Sequence, residues 1–172
     1  LLATLALPVT AQETTTPAPV ASTLPGGASS LTEQHGDWTV SCGMTQQGKD
    51  CILGQALGNA QTGQRALSVE LRTIDANKVE GMLLAPFSLR LDGGINLGVD
   101  ERPLLGPLPF LACIEVGCLV PVVFEGDALA ALKSGTSLEF SAVPLNGGEP
   151  VRLALSLRGF TAASARTSEL SK

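Results

Sequence analysis

Tyrosine is absent from this chain, Trp38 is its one tryptophan, His35 its one histidine, and aromatic residues make up only 3% of it. Sites for bases or sugars rely on aromatic faces for stacking, so this scarcity argues against them. Basic excess is missing as well. Eleven Lys and Arg against 16 Asp and Glu leave a net charge of −5, and no electrostatic footprint for nucleic acid or anionic lipid is visible. No segment reaches the roughly 18 continuous apolar residues that a membrane span needs. General acid–base work draws mostly on His, Glu and Asp, with some Lys, Tyr and Cys. With one His and no Tyr, the chain is expected to be no enzyme and to carry no cofactor.

What is present fits about one domain. The length is 172 residues, 44% of them hydrophobic, with 19 Gly and 11 Pro; this suits a filled core in a turn-rich body. The amino end reads "LLATLALPVTAQETTTPAPVAS". Residues 1–11 are expected to be the remnant of a signal peptide, with Val9-Thr10-Ala11 as the small-x-small cleavage site. Residues 12–34, rich in Thr, Pro, Ala and Ser, read as a flexible linker. It serves as a spacer from an envelope surface or, the favoured reading, as an unstructured mature terminus. Residues 35–166 form a single β-rich domain and 167–172 a tail. The mature chain is then periplasmic or secreted.

Strand periodicity dominates the domain. In "RALSVELRTI", Leu67, Val69 and Leu71 fall on one face and Ser68, Glu70 and Arg72 on the other, the two-residue period of a half-buried strand. "FSLRL" is expected to repeat this, with Phe87, Leu89 and Leu91 inward, and Gly93-Gly94 turning into "INLGV". "SLEFSAV" and "VRLALSL" give two late strands joined through Asn146-Gly147-Gly148. Asp127 as N-cap, then good helix formers and Gly135, predict one short helix. The tail "FTAASARTSEL" offers another turn or two. The fold class is therefore all-β, a mainly antiparallel β-sandwich or partly open barrel with one or two short helices.

Four cysteines, Cys42, Cys51, Cys113 and Cys118, allow three pairings. A four-thiolate zinc site would want short hooks at both ends, and the eight residues between Cys42 and Cys51 are loose for one. No C-x-x-C redox motif occurs, and no third cysteine follows Cys118 as an iron–sulfur pattern would need. Export favours disulfides. Two local bridges are expected, Cys42–Cys51 and Cys113–Cys118, each stabilising by about 2–3 kcal/mol on the chain-entropy model, with no metal bound.

Three blocks then stand out in order: "GDWTVSC" from Gly36 to Cys42, followed by Cys51 and Gln55; "LGVDERPLLGPLPFLACIEVGC" from Leu97; and "LSLRGFTAA" from Leu155 to Ala163. Together they resemble the opening motif, the Asp-containing loop with its cysteine pair, and the carboxy-terminal signature of the invasion-associated locus B (IalB) family. His35 departs from the aromatic residue common before Gly-Asp-Trp, and the loop from Asp100 to Pro109 is unusually rich in Pro and Leu. The resemblance implies a small exported protein of the bacterial envelope, some relatives being associated with host-cell invasion, and it implies no established catalytic residues.

Candidate sites are few. His35 lacks an activated nucleophile beside it and reads as a solvated boundary residue. Trp38 reads as a core plug against a bridge rather than a ligand contact. Asp100 and Glu101 read, with Arg102, as a solvated loop tip. Arg72, Arg90, Arg152 and Arg158 form either a basic face for an acidic partner or lipid head group, or the ordinary polar face of a sandwich, which is favoured. Leu104, Leu105 and Leu108 make an interaction knob or, by a slight preference, a lid on the sandwich. The function expected is a non-enzymatic interaction module with an unknown envelope or host protein as partner. The alternative is a periplasmic small-molecule or lipid-binding protein.

Overall fold

The structure, a computed structural model, describes residues 24–58 and 65–172; the expected signal-peptide remnant and residues 12–23 of the expected linker lie outside them. In chain order the elements are β1 (Ser30–His35), β2 (Trp38–Thr45), β3 (Gly48–Gly58), β4 (Arg65–Asp75), β5 (Lys78–Ala85), β6 (Ile95–Val99) and β7 (Arg102–Leu108), then β8 (Ala112–Ile114), β9 (Gly117–Glu125), α1 (Gly126–Ser134), β10 (Ser137–Ala142), β11 (Val151–Ser156) and α2 (Phe160–Leu170). They form a seven-stranded sheet, β1-β2-β3-β4-β5-β9-β8, and a four-stranded sheet, β11-β10-β6-β7. Every strand pairing is antiparallel. The sheets do not close into a barrel, so the fold is an open β-sandwich.

Alternation explains the strands. Leu67, Val69 and Leu71 are buried in β4 while Glu70 and Arg72 are exposed, and Val120, Val122 and Phe124 are buried in β9 while Pro121 and Val123 are exposed. In β6 and β10 the same period buries Ile95, Leu97 and Val99, and Leu138, Phe140 and Ala142. These inner faces join the buried residues of α1 and α2 in one core. Helix α2 lies against β1 to β4 and α1 against β5 and β9. No helix among the described residues is long and apolar enough to cross a membrane.

Five expectations need correction. "FSLRL" is not a strand: Ser88 takes a left-handed φ of 65°, which breaks the alternation, and only Leu89 is buried while Phe87 and Leu91 stand 52% and 51% exposed. Its sole pairing is the bridge from Leu89 to Pro144. Ser30 to Gln34, assigned to the linker, are paired along β2. The "RPLLGPL" segment is the edge strand β7 rather than a loop or lid. Asp127 lies inside the first turn of α1, after an N-cap at Glu125, where its charge still faces the positive end of the helix. The tail is a full helix, α2, with Phe160, Ala163, Ser164, Thr167 and Leu170 buried.

Gly135 does end α1, but in an extended conformation rather than a left-handed one. A Cβ there would collide with the Val99 side chain. Space, rather than backbone freedom, selects glycine at this position.

Candidate functional site

The first and last sequence blocks come together, and what all three build is architecture. The β1–β2 turn at Gly36 packs against Arg158 and Gly159, both glycines taking left-handed φ values of 60° and 93°. A Cβ on Gly36 would sit 2.5 Å from the Arg158 carbonyl oxygen, and one on Gly159 would strike the His35 carbonyl. Asp37 and Arg158 pair through two hydrogen bonds of 2.6 and 3.0 Å, and this guanidinium holds the Asp37 carboxyl down at about 2. Trp38 is fully buried, edge-on to Phe160 with ring centroids 5.1 Å apart. Its indole N–H donates to the Ser156 carbonyl at 2.9 Å. Gln55 donates to the same carbonyl at 3.0 Å and to that of Asp37 at 2.9 Å.

Asp100 is a clamp rather than a loop tip. Its carboxylate accepts from the Thr136 hydroxyl at 2.6 Å, the Thr136 N–H at 3.1 Å and the Ser137 N–H at 3.0 Å, contacts that hold its pKa below the usual carboxylate range. It fastens the β6–β7 turn to the start of β10. His35 is not a solvated boundary residue either: it is half-buried in β1, with Nε2 3.2 Å from Glu33 Oε2.

Cys42 and Cys51 face each other across β2 and β3 and are bonded, as are Cys113 and Cys118 across β8 and β9. The four arginines do not form one stripe. Arg72 pairs with Asp50 at 2.8 Å, Arg90 with Asp92 at 2.6 Å and Arg158 with Asp37 at 2.6 Å. Arg166, in α2, pairs with Glu33 at 2.8 Å. Arg152 and Arg102 are the exceptions, having no ion-pair partner among the described residues.

Those two line the same feature, an open groove of about 690 Å³ on the outer face of the four-stranded sheet. Strand register places its floor. Ser141 lies between Arg152 on β11 and Asn96 on β6, forming one row across the sheet. Two residues along, Glu139 lies between Ala154 and Gly98, with Pro103 of β7 beyond. Leu104 and Leu105 line the β7 side; both, like Leu108, are half-buried against the core. Glu139 Oε1 accepts the Glu101 N–H at 3.0 Å and pairs with no cation among the described residues. Alternation in "SLEFSAV" and "VRLALSL" marks Glu139, Ser141 and Arg152 as outward-facing. That Asn96 would join them was hidden, because it depends on β6 pairing with β10.

An open two-sheet sandwich, stapled across two hairpins and closed by a carboxy-terminal helix, is thus the class of molecule in hand. Residues 38–168 match the family model described as invasion associated locus B (IalB) protein, and the chain belongs to that family. It is 45% identical to an invasion protein B homologue of Brucella abortus (strain 2308), over 88% of this chain and 87% of the relative. Identity to the invasion protein B of Bartonella bacilliformis is 35%, over 90% and 83% of the two chains. The crystal structure of invasion associated protein b from Bartonella henselae is similar with a TM-score of 0.76 at 28% identity, covering 82% of this chain and 97% of that one.

Proposed function

We propose that this chain is an exported bacterial envelope protein acting as a non-enzymatic interaction module, and that its contact surface is the groove over the four-stranded sheet. One observation carries the reading. Among the arginines whose side chains are described, those outside the groove close ion pairs with a carboxylate; inside it Arg152 has none, and Arg102 feels the charge of Asp100 without closing a pair. An exposed guanidinium that closes no ion pair on a net acidic chain is available to an incoming group. The family blocks support the non-enzymatic half, since Asp37, Trp38, Asp100, Arg158 and Phe160 are engaged in holding the fold. Two bridges and the absence of an apolar spanning helix among the described residues are compatible with export.

The second reading, small-molecule binding, draws on the groove's volume, which lies within the roughly 300–1,000 Å³ of ligand sites. A lipid held between the sheets is less well supported, because side chains from both sheets fill that space as one core.

The test is photo-crosslinking in cells. A crosslinking residue replaces Ala154, exposed on the groove floor, and in a control Thr32, exposed on β1. The expected result is an adduct of defined mass from position 154 that is absent from position 32 and lost with Arg152→Gln. Equal adducts from both positions would remove the groove from consideration.

A further inference from the structure

We infer that the loops joining β5 to β6 and β10 to β11 form a membrane-contact face, which seats Phe87, Leu91, Val143 and Leu145 in the interface of a lipid bilayer. This face is additional to the groove, since none of the four residues lines it.

Nine large hydrophobic side chains stand exposed among the described residues, and four of them fall in these two loops. Phe87 and Leu91 are half exposed, Val143 is 39% and Leu145 69% exposed. Two ladder hydrogen bonds zip the loops together. The Arg90 N–H donates to the Val143 carbonyl at 2.9 Å and the Leu145 N–H to the Ser88 carbonyl at 2.7 Å, on either side of the bridge from Leu89 to Pro144. This register sets Leu145 opposite Ser88, the neighbour of Phe87, and Val143 opposite Arg90, the neighbour of Leu91. The four residues therefore belong to one patch. Its form is fixed from beneath. Leu89 is buried, and Gly94 lies so near Leu108 that a Cβ there would sit 2.6 Å from the Leu108 carbonyl oxygen. Hiding the patch would withdraw Leu89 from the core and break both ladder bonds. The left-handed backbone at Ser88, which a non-glycine residue adopts at a cost, is what leaves Phe87 outside.

Two features select a bilayer over a protein. A segment entering lipid must satisfy its polar backbone internally, and these loops close much of theirs. Besides the ladder bonds, the Leu91 carbonyl accepts the Gly94 N–H at 3.3 Å and the Pro144 carbonyl accepts the Gly147 N–H at 3.0 Å. Pro86 and Pro144 have no N–H to satisfy. A protein interface commonly carries about one hydrogen bond per 100–200 Å², and this face offers few groups for them. Charge points the same way. Between Pro86 and Gly94, and between Val143 and Gly148, the charged residues are Arg90 and Asp92, which close on each other at 2.6 Å. The face is thus neutral. It suits apolar insertion to the depth of about 5–10 Å that interfacial segments reach, without the basic cluster that selects anionic headgroups.

Co-sedimentation of the disulfide-intact chain with vesicles supplies the test, using phosphatidylcholine alone and an equal mixture with phosphatidylglycerol. The expected result is binding to both, within about threefold of each other and retained in high salt. Leu145→Asp and Phe87→Asp should each lower the partition about tenfold or more, the effect of withdrawing one large apolar side chain. Ile74→Asp, which charges a residue of β4 exposed to 50%, should leave it unchanged. Phe87→Trp keeps an apolar ring and reports insertion directly. Its fluorescence is expected to shift to the blue on vesicles and to be quenched by lipids brominated along the acyl chain, over the background of the fully buried Trp38. Absence of binding to either vesicle would overturn the inference. So would binding to the anionic vesicles alone with release by salt, or undiminished binding by both Asp variants. Self-association lost in Leu145→Asp, without vesicle binding, would overturn it and assign the loops to a second copy of the chain. An Arg152-dependent adduct at the groove in cells, again without vesicle binding, would overturn the membrane contact and leave the groove assignment standing.

Discussion

Glu33 in β1 and Arg166 in α2 are 133 residues apart in sequence and joined by two hydrogen bonds of 2.8 Å. The guanidinium, helped by His35, holds the Glu33 carboxyl at about 2, against an ordinary value of 4.5. A carboxyl depressed in the folded state stabilises the fold above its unfolded pKa, and that contribution is lost as pH falls through the folded value. The window is therefore about pH 4.5 down to 2. Each side chain is about a quarter exposed, so solvent screening limits the contribution to the order of 1 kcal/mol. For a chain of this size that is about 2–4 °C in Tm. Glu33→Gln is expected to melt lower by this amount at pH 7 and to lose Tm less steeply between pH 4.5 and 2. Thermal melts by circular dichroism decide it, with Asp37→Asn as comparison because Asp37 titrates in the same window. Identical acid slopes for the parent and Glu33→Gln would show that the pair does not contribute. Nothing local announced this contact: Glu33 fell in the stretch read as linker, and its partner lies in a helix whose docking face only the assembled sheet defines.

The two hairpin bridges look alike in sequence and differ in setting. Cys42 and Cys51 are both buried, at 5% and 4% exposure, in strands with neighbours on either side. Cys113 is exposed, on the three-residue edge strand β8. Thiol–disulfide exchange needs access to a sulfur, so graded reductant is expected to open Cys113–Cys118 first. Alkylation and peptide mass mapping should label Cys113 and Cys118 at reductant levels that leave Cys42 and Cys51 unlabelled, and the reverse order would contradict this. Replacing Cys42 and Cys51 by Ala should cost about 2–3 kcal/mol by urea unfolding. The spacing in sequence announced both pairs, and strict alternation announced β4, β6, β10 and β11. "RPLLGPL" hid β7 because its prolines mark a turn or an edge strand equally well. Pro103 and Pro107 lack the N–H that a central strand would need, and β7 has a neighbour on one side only. "FSLRL" misled in the opposite sense, for its pattern is right and Ser88 alone breaks it.

At the scale of the molecule, the first and last family blocks close on each other. Phe160 begins α2, is fully buried and packs on Trp38, the single tryptophan. Trp38 and Gln55 both donate to the Ser156 carbonyl, tying the outer edge of β11 to the seven-stranded sheet. The same strand carries Arg152 into the groove, so the lock and the groove share one rigid element. Truncating a buried Phe typically costs about 3–5 kcal/mol, a large part of the roughly 5–15 kcal/mol that holds a domain together. Phe160→Ala is expected to shift urea unfolding by this amount. Thr161→Ala, an exposed neighbour donating to the Lys133 carbonyl at 3.1 Å, should cost under about 1 kcal/mol. Trp38 fluorescence reports the lock and far-UV circular dichroism the sheets. If the two sheets and α2 form one cooperative unit through this contact, both probes trace a single transition in the parent and in Phe160→Ala. An earlier fluorescence transition in the variant, with the sheet signal unchanged, would mean instead that α2 undocks by itself and that the four-stranded sheet keeps its groove without the lock.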